Sequence, residues 1–124
     1  MESFAGLNPL EILQLTINNK NWVEGISLSA KYLKKYGMDK IGDYFDINGI
    51  EIDEGKIKML KYEQIALALL ALGLINRKIY RTMMKIGKRR KKLLNKEGEI
   101  NYIEEKGCHK LIKNAMEILQ NQCI

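Results

Sequence analysis

YEQIALALLALGLINRKIYRTMMKIGKRRKKLLNK, residues 62–96, passes from a run with hardly a charge to a run dense in lysine and arginine. Its first part, Tyr62 to Leu74, is too apolar to show a clean period, which suits a helix buried on most of its surface. Gly73 interrupts that helix, and Asn76 can cap the next. Ile79, Met83, Ile86, Arg90, Leu93 and Leu94 then recur mostly at spacings of three and four, so a second, one-sided helix is expected to end near Lys96-Glu97-Gly98. A buried helix followed by an amphipathic one is the pattern of helices packed on helices.

Upstream, Asn8-Pro9 reads as an N-cap with proline at the first helical position, and Leu10, Leu13 and Ile17 follow at helical spacing, predicting a helix over Pro9–Asn18. Trp22, Ile26, Ala30 and Leu33 form the stripe of another helix, with Lys31, Lys34 and Lys35 in its closing turns and Gly37 at its cap. Between Ile41 and Gly55 the pattern changes. Asn48-Gly49 lies between Tyr44-Phe45-Asp46-Ile47 and Ile50-Glu51-Ile52-Asp53, a local signal for a tight hairpin turn or an ordered loop. The same residues imitate a calcium loop, but its first and twelfth positions would be Tyr44 and Gly55, where acids are required. After Asn101 a last helix carries Cys108, Leu111, Ile112, Ala115, Ile118 and Leu119 on one face and frays toward Ile124. The expectation is an all-α, up-and-down bundle of about five helices with a short hairpin or loop insertion near residues 43–55, forming one domain over residues 1–124.

The chemistry that this composition excludes is extensive. The longest nearly charge-free stretch, Ile65 to Ile75, is about half of the roughly 20 residues needed to cross a bilayer, and no basic-then-apolar leader opens the chain. A cytoplasmic protein without membrane contact is expected. Cys108 and Cys123 cannot make a secreted-type disulfide framework, so both are expected as thiols. No metal or other cofactor is expected: zinc takes about four ligands, and the only nitrogen candidate, His109, points about 100° away from its neighbour Cys108 on a helix. No glycine-rich phosphate loop precedes a helix, and neither cysteine has a histidine and acid set around it.

Net charge is +6, from 21 Lys and Arg against 15 Asp and Glu, and it is concentrated: Lys85, Lys88, Arg89, Arg90, Lys91, Lys92 and Lys96 fall within twelve acid-free residues. Arg90 stands where the period of its helix demands an apolar side chain. Burying a guanidinium requires a partner, and Glu63 and Glu104 are the acids considered for it; the alternative is that Arg90 snorkels from the edge of the core. The fork of arginine matches phosphate oxygens and neighbouring lysines add point charges, so Lys85, Lys88, Arg89, Arg90 and Lys92 are the candidate RNA-binding residues.

Leu72-Gly73-Leu74-Ile75-Asn76, then Tyr80, Met83, Ile86 and Arg90-Lys91-Lys92-Leu93-Leu94-Asn95, resembles the core of the HEPN family, with its buried helix, short turn and long helix ending near the motif Arg-Asn-x-x-x-His. The motif's arginine maps to Arg90, its second residue is replaced by Lys91 and its histidine by Asn95. The resemblance implies a homodimer in which two Arg90 regions face a shared cleft, and a metal-independent endoribonuclease acting through a ribose 2′-hydroxyl where the catalytic groups survive. Here they do not: an asparagine amide cannot exchange protons near neutral pH, and loss of such a group removes about 10² to 10⁴ in rate. His109, on another helix, is a poor substitute. An RNA-binding module without ribonuclease activity is therefore expected. The other function class is an adaptor whose basic helix docks an acidic protein, as in toxin-antitoxin pairs.

Overall fold

The computed structural model describes residues 6–96 and 98–121. Cys123 and the fraying expected toward Ile124 lie outside these residues, as does Glu97 at the expected end of the basic helix. Six helices follow one another: α1 (Pro9–Asn18), α2 (Trp22–Ile47), α3 (Glu54–Lys58), α4 (Tyr62–Ala71), α5 (Arg77–Leu94) and α6 (Tyr102–Asn121). Among the described residues there is no strand, and none of the helices is long and apolar enough to cross a membrane.

The caps legible in the sequence form as expected at two of these helices. Asn8 Oδ1 accepts from the Glu11 amide at 2.9 Å, with Pro9 in the first turn, and Asn76 Oδ1 accepts from the Ile79 amide at 2.8 Å. Each satisfies a donor that the helix itself leaves without a partner.

Of the hairpin or loop expected at residues 43–55, the hairpin does not form and a loop does, confined to residues 48–53. α2 runs on through Ile47, and Asn48-Gly49 ends it instead of turning a strand. Gly49 adopts φ +66°; its amide donates to the Asp46 carbonyl at 3.1 Å, and the Ile50 amide donates to the Phe45 carbonyl at 2.9 Å. These two bonds are a Schellman motif. A left-handed glycine serves a hairpin turn and a helix terminus equally, so the dipeptide does not distinguish them. Gly73 (φ +72°) ends α4 in the same way, with the Leu74 amide donating to the Leu69 carbonyl at 2.9 Å. The loop that remains after α2 is closed by α3, which Asp53 caps through the Gly55 amide at 2.9 Å.

Gly37 does not cap α2 either. It is buried near the middle of that helix, where an added Cβ would stand 2.5 Å from Ile65 Cγ2 and 3.0 Å from Leu69 Cδ1. Gly25, one face earlier, would bring a Cβ within 2.5 Å of Ile112 Cδ1 and 2.7 Å of Thr16 Oγ1. The two bare positions let α4 on one side, and α1 and α6 on the other, lie close against α2. Between them Leu13, Ile26, Leu33, Ile65, Leu69, Met83, Ile86 and Ile112 form a core with no solvent exposure. Such close packing tolerates little added volume.

Two alanine substitutions in the one helix should therefore move stability in opposite directions. Gly42 has nothing within 4 Å of an added Cβ, so Gly42→Ala should stabilise by about 0.5–1 kcal/mol through helix propensity. Gly37→Ala has the same propensity gain but overpacks Ile65, at a cost of about 1–3 kcal/mol, and should lower the urea midpoint.

Candidate nucleic-acid interface

α5 carries cations on both flanks, and neighbouring helices sort them into two grooves. Lys85, Lys88, Arg89 and Lys92 share one face, at spacings of three and four. They line a groove against α6, from which Lys110, Gly107 and Asn114 face them. Arg89 is half-buried there, and the absence of a side chain at Gly107 lets its guanidinium rest on α6: a Cβ at that position would lie 3.0 Å from one terminal nitrogen. Five cations and no acid line this groove. It runs parallel to α5 for about 10 Å, the rise of seven residues.

Arg90 and Lys91 lie in the other groove, between α2 and the start of α4, with Lys31, Lys34, Lys61, Tyr62 and Glu63. Of the five candidate RNA-binding residues, four are thus brought together and Arg90 is set apart. Arg90 occupies the inward side of α5, as its spacing from Ile86 and Leu93 requires, yet it is exposed. The reason is local: at this level α4 has only begun, and the bundle opens into a groove of about 700 Å³. Arg90 accordingly does not take either acid considered as its partner. Lys91 Nζ pairs with Glu63 at 3.1 Å, and Lys96 Nζ pairs with Glu104 at 2.6 Å.

Tyr62, which lines the groove with Arg90, ties α4 to α5. Its ring lies on Gly87, whose Cβ would stand 3.1 Å from the ring edge, and its hydroxyl donates to the Met83 carbonyl at 2.7 Å. Burial, with a smaller contribution from Glu63, raises the phenol well above its ordinary range. Glu63 is held below the usual carboxylate range by its own backbone N–H and by Lys91.

The degenerate motif residues do not converge. α5 remains helical to Leu94, and the Asn95 amide still donates to the Lys91 carbonyl at 3.2 Å. α5 ends at Leu94, just before Asn95, which is its C-cap (φ −99°, ψ 0°) and is kept close to the helical register by that bond. Five helical residues turn about 500°, which leaves these side chains about 140° apart on one helix. α5 thus ends where the loss of periodicity after Leu94 made an end plausible, but too late to carry Asn95 round to the Arg90 side within one chain. His109 lies on α6 beside Trp22, with ring centroids 5.9 Å apart, and lines neither groove. Cys108 is a buried thiol, raised mainly by desolvation.

Sequence reasoning missed Lys110. The pattern Gly107-x-x-Lys110-x-x-x-Asn114 places a small, a cationic and an amide residue on one helical face, but only the packing of α6 on α5 turns that face toward Arg89.

The turn between α5 and α6 is tied by Glu104, which is 8% exposed. The Glu104 amide donates to Asn101 Oδ1 at 2.9 Å while its carboxylate takes Lys96. Lys96 above all, then the Asn101 backbone, holds the carboxyl below the usual range. A depressed carboxyl contributes stability that is present above its unfolded value and lost as pH falls through the folded one. Wild-type melting temperature should therefore decline as pH drops below about 4.5, and Glu104→Gln should be less stable at neutral pH with a flatter acid limb. Thermal melts across that range check both outcomes.

Comparison of the chain with protein-family models, with curated proteins and with solved structures yields no match.

Proposed function

We propose that this chain is a HEPN-like RNA-binding module that holds single-stranded RNA in the groove between α5 and α6 and does not cleave it. What supports the reading is one observation: Lys85, Lys88, Arg89, Lys92 and Lys110 line a single groove in which there is no acid. A row of cations along a helix matches successive phosphates of an extended strand, and a half-buried guanidinium is better ordered than a free lysine for gripping one of them. Thr82 and Asn114 add hydrogen-bonding groups at the same groove. In this reading the protein acts as a homodimer. It has no general base at position 95, where the amide of Asn95 stands.

Binding of a labelled RNA oligonucleotide, followed by anisotropy, tests this directly. Neutralising about five phosphates on a single strand gives a slope of log affinity against log salt near −3.5. Lys85→Glu with Lys92→Glu should weaken binding and reduce that slope by about 1.4. No binding at low salt would reject the RNA reading and leave the acidic-protein adaptor.

Wild-type protein should show no RNA cleavage with or without chelator. With Asn95 at the C-cap of α5 and about 140° from Arg90 in the helical register, a second subunit is the route by which a base comes beside Arg90. Asn95→His with Lys91→Asn should therefore create chelator-insensitive cleavage in the dimer, and Arg90→Ala should abolish it. A folded, dimeric and inert double variant would remove the cryptic nuclease.

A further inference from the structure

The groove between α2, α4 and α5 has a different shape and calls for a different ligand from the one along α6. Lys31 and Lys34 come from α2, Lys61 from the start of α4, and Arg90 and Lys91 from α5. Five cations drawn from three helices converge on one cavity of about 700 Å³ instead of following one helix. That volume is the size of a small-molecule site, not of an extended track. Arg90 makes no ion pair among the described residues.

Two details of α4 add to the convergence. Lys61 occupies the N-cap, where serine, threonine or aspartate would ordinarily accept a bond from the first turn; an ammonium cannot accept one. Gln64 reaches back only to the Lys61 amide, at 2.8 Å. The anion present at this helix terminus is Glu63, on Lys91 at 3.1 Å and with its side chain 35% exposed. Its own backbone N–H holds it at the terminus as well, while the exposed pair with Lys91 contributes little and is exchangeable.

We infer that this groove is a binding site for a diphosphate group, which Glu63 masks in the free protein by supplying its own carboxylate. One carboxylate neutralises one of five cations, and a diphosphate carries the additional charge and the adjacent oxygens that Arg90, Lys31 and Lys91 require. On binding, the ligand takes the place of Glu63 on Lys91 and at the α4 terminus, where backbone N–H groups favour an anion. No bond is made or broken. The site is independent of the RNA groove, so either can fail without the other.

Calorimetric titration of the full chain at low salt tests the assignment with inorganic pyrophosphate and, separately, a nucleoside diphosphate. Equal affinity for the two identifies the free anion as the source, whereas tighter binding of the nucleotide identifies a nucleoside carrier. Lys31→Ala with Arg90→Ala should weaken binding roughly tenfold or more, as for loss of a charge-assisted hydrogen bond. Glu63→Gln should strengthen it, because the internal competitor is gone. Both changes are at the surface of the groove, and thermal melts establish that the variants are folded. Lys85→Ala with Lys88→Ala, in the other groove, should leave pyrophosphate binding unchanged. The inference is overturned if neither wild type nor Glu63→Gln binds either probe, or if the Lys85 and Lys88 changes weaken binding as much as the Lys31 and Arg90 changes do.

Discussion

Close approach to α2 is the constraint on which the other helices depend. This helix touches each of the other five, and it can do so because Gly25 and Gly37 leave two gaps in its surface into which Thr16, Ile112, Ile65 and Leu69 fit. Dispersion forces fall steeply with small radial gaps, so a few tenths of an ångström at these crossings decide whether the core is continuous. They also set the position of α4, and hence where the groove containing Arg90 opens. Gly87 and Gly107 repeat the device on a smaller scale, admitting the Tyr62 ring onto α5 and the Arg89 guanidinium onto α6.

The all-α class was legible because four of the helices announce themselves by caps or stripes: Asn8-Pro9, the Trp22 to Leu33 stripe, Asn76 with its apolar series, and the Cys108 to Leu119 face. What could not be read concerns residues whose local conformation has two uses. Asn48-Gly49 supplies a left-handed residue, and nothing in the dipeptide says whether the preceding residues are helix or strand. Gly37 near a run of lysines looks like a terminus; only the presence of Ile65 and Leu69 across the gap makes it an interior packing position. The candidate site divides along the same line. That Lys85, Lys88, Arg89 and Lys92 share a face follows from helical period alone. That Arg90 is exposed in spite of its inward placement, and that Lys110 joins the others, depends on where α4 begins and how α6 lies, which are tertiary facts.

The separation of charge around α5 has a physical logic. Seven basic residues within twelve repel one another, and two grooves divide that repulsion between opposite flanks of the helix. Lys91 and Lys96 are tied to Glu63 and Glu104, which leaves the α6 side as the strongest unbalanced field. At physiological ionic strength such a field reaches about 8 Å, so it is felt by another charge at contact or near-contact and not at long range.

The pairing of Trp22 with His109 has a consequence for measurement. The chain has one tryptophan, buried at the start of α2 and set against an imidazole on α6. Its emission is therefore an intrinsic optical gauge of a single helix junction, undiluted by other indoles. Separation of α2 from α6 would wet that ring and move its spectrum to the red, while loosening confined to α3 or to the loop before it would leave the signal unchanged.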